Sequence, residues 1–260
     1  MSALPHFARL PFSLLFQLAL CAALACLAGP LHAQELLVLY DERVPLLEQQ
    51  DGRLVGPMGQ RLQRVLDDIK TPYKLQAVSL SRQLAIIERS SQPICTLGRV
   101  RIADRQVSYV SAPVYVAQPY VALIRRDAAF AGSTARLRDL AAKSSLRWGM
   151  REGYVYNSYI AELIGTARAY RHSFPQEHLA AVGMLLNKQI DFALFHREEA
   201  EYALARVPGA AKGLRVLRLD DAYESVPRHI LCNQRVSDPL RARIDQAIAA
   251  LPPQPAPASR

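Results

Sequence analysis

The chain has 260 residues, half of them apolar, with 32 Lys and Arg against 23 Asp and Glu, for a formal charge of +9. That length buries one large core or two modest ones. The basic side chains are dispersed among acids with no run of five. This argues against nucleic acid and leaves an anionic ligand, an anionic surface or plain solvation to account for the charge.

The first 33 residues read as a secretory signal. Arg9 is the one charged side chain before Glu35, an apolar run extends from Phe12 to Leu27, and small residues around Gly29 to Ala33 close it. The run is about 16 residues, short of the ~20 that a membrane span needs. A retained anchor is the alternative. Cleavage after Ala33 leaves 227 residues and, with Arg9 lost, a charge of +8. The expected location is the periplasm. Cys95 and Cys232 then remain, each in an apolar, strand-like run and 137 positions apart. An oxidising compartment favours a bridge between them, worth up to roughly 4–5 kcal/mol on the chain-entropy model. Two buried free thiols are the alternative.

Strand and helix alternate along the rest. Glu35 to Tyr40 is a nearly continuous apolar run, as buried parallel strands are. Leu62, Val65, Leu66 and Ile69 repeat at helical spacing and predict a helix over 58–70. Tyr73 to Val78 alternates like a strand, 81–89 reads as a helix, and 95–97 and 120–125 read as strands. Ser133 or Thr134 caps a short helix carrying Leu137 and Leu140. Leu146 to Met150 is a strand, with a turn at Gly153 and a helix from about Tyr156. Pro175 opens a helix with Leu179, Val182, Leu185 and Leu186 on one face. A strand at 190–195, a helix at 198–206 and a strand at 214–219 follow. A strand at 228–232 precedes a last helix from Ser237, with Pro239 in its first turn. The Pro-rich residues 252–260 read as a disordered tail.

This alternation predicts an α/β protein with mainly parallel sheets flanked by helices. If Cys95 and Cys232 are bonded, the C-terminal segment returns to the first unit. Two lobes follow, residues 34–124 with 225–251 and residues 125–224. The hinge crossings fall near 124–127 and 221–227, and the cleft between the lobes is the expected ligand site.

The opening strand ending at Tyr40, Asp51-Gly-Arg-Leu-Val-Gly56, Arg82, Ile102-Ala-Asp-Arg105 before Tyr109-Val-Ser-Ala-Pro-Val-Tyr115, Gly149-Met-Arg-Glu-Gly153 and Lys188-Gln-Ile-Asp-Phe-Ala193 occur in an informative order. In that order and spacing the chain resembles the periplasmic solute-binding proteins of amino-acid ABC transporters, the family 3 class. The resemblance covers most of the chain after the signal. It implies the type II two-lobed binding fold, a small-molecule ligand, no cofactor or metal, a monomer, and an ABC permease in the inner membrane as partner. It implies that Arg105 binds a ligand carboxylate, for which a planar and permanently charged guanidinium is suited. Backbone N–H groups near Leu97 and Gly98 would complete that anion site. The alternative is that Arg105 pairs with Asp104 or another surface acid.

Two departures bear on the ligand. The family holds a ligand ammonium with a carboxylate just after the second-lobe strand, where this chain has His196. After Gly153 the family offers small hydroxyl residues, where this chain has Tyr154-Val-Tyr156. A basic, aromatic cleft suits a carboxylate-rich, aromatic or sugar-like ligand. Tyr40, Arg82 and Arg151 are further candidate contacts, against core packing for Tyr40, solvation for Arg82 and a bridge to Glu152 or Glu162 for Arg151. Trp148 reads as core. No G-x-S-x-G elbow, phosphate-cradling loop or H-E-x-x-H spacing is present. His196 with Glu198 and Glu199 leaves one enzymatic alternative, an acid/base lyase or dehydratase on the same fold. A sensory binding protein without a transporter is another.

Overall fold

The computed structural model describes residues 35–101, 107–128, 130, 132–174, 179–222 and 224–254. The expected signal segment, 1–33, lies outside them. Among the described residues no helix is long and apolar enough to cross a membrane.

The apolar run after Glu35 forms β1 (Leu36–Tyr40), buried along most of its length. A small hairpin of β2 (Glu48–Gln50) and β3 (Arg53–Val55) leads into α1 (Pro57–Asp68). This helix buries Met58, Leu62, Val65 and Leu66 on the face that their spacing predicts. Next come β4 (Tyr73–Ala77), α2 (Leu80–Arg89), β5 (Ile94–Arg99), β6 (Tyr109–Val110) and β7 (Tyr115–Ala117). The first sheet has the order β4, β1, β5, β14, β6, where β14 (Val226–Cys232) is the returning strand. β1 runs parallel to β4 and β5, while β14 is antiparallel to β5, β6 and β7. Cys95 on β5 stands opposite Cys232 on β14, and a disulfide joins them across a Cα–Cα distance of 4.1 Å.

The second sheet contains β8 (Tyr120–Arg125), β9 (Thr134–Ala135), β10 (Arg147–Arg151), β11 (Tyr170–Phe174), β12 (Phe192–His196) and β13 (Leu214–Leu219), in the order β11, β10, β12, β8, β13, β9. β10 is parallel to β11 and β12, whereas β8 is antiparallel to β12 and β13. Its helices are α3 (Leu137–Ala141), α4 (Ser158–Thr166), α5 (Ala180–Leu186), α6 (Arg197–Arg206) and α7 (Ala210–Gly213). α8 (Asp238–Ala249) closes the chain against α1, burying Leu240, Ile244, Ala247 and Ile248. Trp148 is fully buried and stacks on Phe192, so it is core.

Four expectations need correction. The strand at 120–125, assigned above to the first lobe, hydrogen-bonds on both sides within the second sheet. The first crossing is therefore at Gln118 and Pro119 rather than at 124–127. Neither Ser133 nor Thr134 caps α3. Thr134 belongs to β9, and the Asp221 carboxylate accepts from the Leu137 and Arg138 N–H groups instead. β11 was missed because its first four residues are exposed or half-exposed and carry no apolar alternation. The start of the C-terminal tail is held: Gln254 pairs through its side-chain amide with both the N–H and the C=O of Val116. Residues 175–178 and 255–260 lie outside the described residues. Val226 to Arg228 pairs with Tyr115 to Ala117, so the two chain crossings run side by side.

Candidate functional site

Open α/β sheets gather ligand-facing side chains just beyond the C-terminal ends of their parallel strands. Here four such ends converge. Asp41 and Arg43 follow β1. Gly98 and Arg99 end β5. Arg151 ends β10 and leads to Tyr154 and Tyr156. His196 ends β12 and leads to Glu199. Tyr120 at the start of β8 and Arg228 on β14 complete the cluster.

The two sheets are linked through this cluster. Arg43 donates to Glu199 at 2.5 Å, with side chains only 4% and 1% exposed. Arg151 donates to Asp41 at 2.7 Å. Arg228 donates to the Tyr154 hydroxyl at 2.5 Å and lies 2.7 Å from His196 Nε2. The Tyr154 and Tyr120 hydroxyls are 2.9 Å apart. Guanidinium carbons of Arg43, Arg228 and Arg151 sit 5.1, 5.6 and 5.8 Å from the Tyr154 ring centroid, within cation–π range.

Local sequence explains much of this placement. Glu199 is the third residue of α6, and its carboxylate reaches back to accept from the His196 N–H at the start of the helix. His196 Nδ1 lies 2.5 Å from the Gln118 carbonyl and therefore donates to it. Nε2 is left as the acceptor facing Arg228. The ring also stacks on Tyr120 at 4.3 Å. Gly98 has φ +67, and a Cβ there would press on the Met58 thioether at 3.0 Å, so glycine suits both the backbone and the space. Gly153, at φ +67, lets the β10 turn reach the start of α2, where a Cβ would meet Ser81 at 2.9 Å.

The electrostatics are unbalanced. Among the described residues four arginines, Arg43, Arg99, Arg151 and Arg228, are buried here beside two carboxylates, Asp41 and Glu199. Asp41 and Glu199 each hold an arginine. Among the described residues no carboxylate lies within ion-pairing distance of Arg99 or Arg228. Burial, with Arg228 and Arg43 nearby, pushes the Arg99 guanidinium down to about 10 despite Asp41. Burial works most strongly on Arg43 and lowers it, but Glu199, Tyr154, Tyr120 and Asp41 together outweigh it and the pKa is raised. Burial holds His196 well below the usual imidazole range, so it is neutral at pH 7. Burial raises the Tyr154 hydroxyl, yet Arg228 and Arg43 overcome it and the net shift is downward.

The space is small. The cavity that Arg99, Arg228, Gly98 and Tyr154 share has about 10 Å³, room for roughly one water. A neighbouring cavity of similar size is lined by Tyr120, Tyr156 and Glu199. A far larger hollow of about 760 Å³ lies elsewhere, between α1, Val116 and residues 252–254. Arg61, on its wall, is spent on the Val114 and Pro252 carbonyls. We place the candidate site at the small cavity, because the buried charges converge there. Among the described residues no group of three or more His, Cys, Asp or Glu could hold a metal ion.

Of the residues singled out in the sequence, Gly98, Arg151, Tyr154, Tyr156 and His196 meet in this cluster. Arg151 pairs with Asp41 rather than with Glu152 or Glu162. Tyr40 does not join them. It is buried in the first-sheet core, and its hydroxyl donates to Gln49 at 2.6 Å. Arg82 is exposed on α2 and lines neither cavity. Arg105 lies outside the described residues. Sequence reasoning missed Asp41, Arg43, Arg99, Tyr120 and Arg228 as site residues, and met Glu199 only in the enzymatic alternative. The available signal was position: all of these fall within a few residues of a predicted strand end.

No protein-family model and no curated protein matches the chain. Solved structures do. An ancestral arginine-binding protein bound to arginine superposes with a TM-score of 0.66 at 15% identity, over 84% of this chain and 92% of that one. The arginine-, lysine-, histidine-binding protein ArtJ from Geobacillus stearothermophilus gives 0.64 at 18% identity, over 83% and 88%. The amino acid ABC transporter substrate-binding protein AbpA from Streptococcus pneumoniae, bound to L-arginine, gives 0.63 at 15% identity, over 84% and 88%. This chain has the two-lobed fold of amino-acid ABC transporter substrate-binding proteins. In that substrate-binding fold the polar cluster lies between the lobes, bridged by Arg43–Glu199 and Asp41–Arg151.

Proposed function

We propose that this chain is a secreted solute-binding protein that captures a small acidic organic ligand between its lobes, for uptake through an ABC permease or for sensing. One observation carries the reading. Arg99 is 4% exposed in the interlobe cavity, and no carboxylate among the described residues pairs with it. A buried, unneutralised guanidinium is costly to the fold unless something anionic arrives to meet it. The lobes are residues 35–117 with 226–251, and residues 120–219. They open at the paired crossings, since a cavity of about 10 Å³ admits no organic molecule.

The structural neighbours named above include proteins that bind arginine. A cationic ligand is disfavoured in this chain, because Asp41 and Glu199 already hold its own arginines. The lyase reading gains little from His196, whose two ring nitrogens are both engaged and whose burial keeps it neutral. A thermal-shift screen of amino acids, dicarboxylates and aromatic acids tests the proposal. A ligand at one hundred times its Kd adds about 2.7 kcal/mol, or about 5–10 °C for a protein of this size. Acidic compounds should supply the hits. Stabilisation by arginine or lysine, with no response to any acid, would overturn the reading.

A further inference from the structure

We infer that the ligand is a dicarboxylate without an ammonium group, one carboxylate taken by Arg99 and the other by Arg228. The inference rests on the reading of the interlobe cavity as the ligand site. Both guanidiniums line that one cavity, and both side chains belong to residues at most 4% exposed. Each belongs to the first lobe, on the neighbouring strands β5 and β14. Neither has a carboxylate partner among the described residues, whereas the other two buried arginines of the cleft do. Among the described residues the unmet charge is therefore two, and it is divided between two separate forks. Each fork matches a carboxylate bidentately.

Arg228 now rests on neutral acceptors, the Tyr154 hydroxyl and His196 Nε2, and its Nε is buried without a partner. A ligand carboxylate replaces these with a charged acceptor. An ammonium has no corresponding place. It would need a carboxylate, and the two that the described residues place in the cleft, Asp41 and Glu199, are bonded to arginines from the facing lobe. It would also add a cation to a cluster in which, among the described residues, four buried arginines face two carboxylates. Apolar walls from Met58, Leu80 and Leu97 suit the short hydrocarbon spacer between the two acids.

Succinate and aspartate differ by one ammonium, and succinate and propionate by one carboxylate, so calorimetric titration of the three isolates each claim. Malonate and glutarate bracket the spacer length. The best dicarboxylate of the series should bind at least tenfold more tightly than aspartate and than propionate. Arg99→Gln should weaken the best dicarboxylate at least tenfold, to the level of propionate. Arg99→Lys, which keeps the charge but loses the fork, should fall between, and a cooperative melt of each variant shows that it is folded. Aspartate or propionate binding as tightly as the best dicarboxylate overturns the inference but leaves an acidic-ligand cleft standing. So does wild-type dicarboxylate affinity in folded Arg99→Gln. Failure of every acid to bind overturns both.

Discussion

Replacing Arg99 with methionine should make the unliganded protein more stable. The guanidinium is 4% exposed, and its pKa falls from the ordinary arginine value to about 10, chiefly by burial and then by Arg228 and Arg43, with Asp41 opposing. For a base, a folded-state pKa below the unfolded value means that the bound proton favours the unfolded chain. At pH 7 the group is charged in both states, so the whole difference counts against the fold. At 1.36 kcal/mol per unit this is about 3 kcal/mol. Methionine matches much of the side chain's length and meets Met58, Leu97 and Leu47 on the cavity wall. Allowing for imperfect packing, the gain should be about 1–3 kcal/mol, or a Tm higher by about 2–10 °C. Thermal and urea unfolding followed by circular dichroism at pH 7 measure it. The same variant should lose its response to acidic ligands, the usual exchange of function for stability. A Tm lowered by several degrees would refute the reasoning, because it would mean that Arg99 has an anionic partner in the folded protein.

Three further outcomes follow from the same geometry. Glu199→Gln leaves Arg43 buried and charged, so it should cost about 3–5 kcal/mol. Small-angle scattering of that variant should show a larger radius of gyration as the Arg43–Glu199 bridge between the lobes is lost; an unchanged radius would show that the bridge does not hold them closed. His196 is kept neutral by burial, whereas the unfolded imidazole takes up a proton below about 6.5. Stability should therefore decline as pH falls below about 6.5, by up to about 1.4 kcal/mol per unit, and His196→Gln should flatten that limb in urea titrations at stepped pH. Reduction of Cys95–Cys232 opens a loop of 137 residues, and by chain entropy it should cost up to roughly 4–5 kcal/mol. Melts with and without a phosphine reductant read the difference.

The architecture was legible where apolar period and length agreed. Leu214–Leu219 and the helix carrying Leu240, Ile244 and Ile248 come directly from their patterns. β8 shows the limit. Its sequence marks a buried strand, but nothing in Tyr-Val-Ala-Leu-Ile-Arg says which sheet supplies its partners, and both of them lie in the second. The site follows the same division. Tyr154 and His196 stood out because they depart from what the resembling family carries at those places. Asp41, Arg43, Arg99 and Arg228 did not, because an isolated arginine beside a strand is ordinarily a solvated one. Their burial depends on a partner lobe far along the chain: Arg43 and Glu199 are 156 residues apart. Pairing over that distance is set by topology, and no local period encodes it.

The central claim is that the interlobe cavity, through Arg99, recognises an acidic small molecule. Calorimetric titration of the strongest acidic hit into wild type and into Arg99→Met tests it most directly. The account predicts one-to-one binding to wild type, weakening as salt is added, and loss of at least tenfold in affinity in a variant that is folded and no less stable. Equal affinity in the two proteins would contradict it.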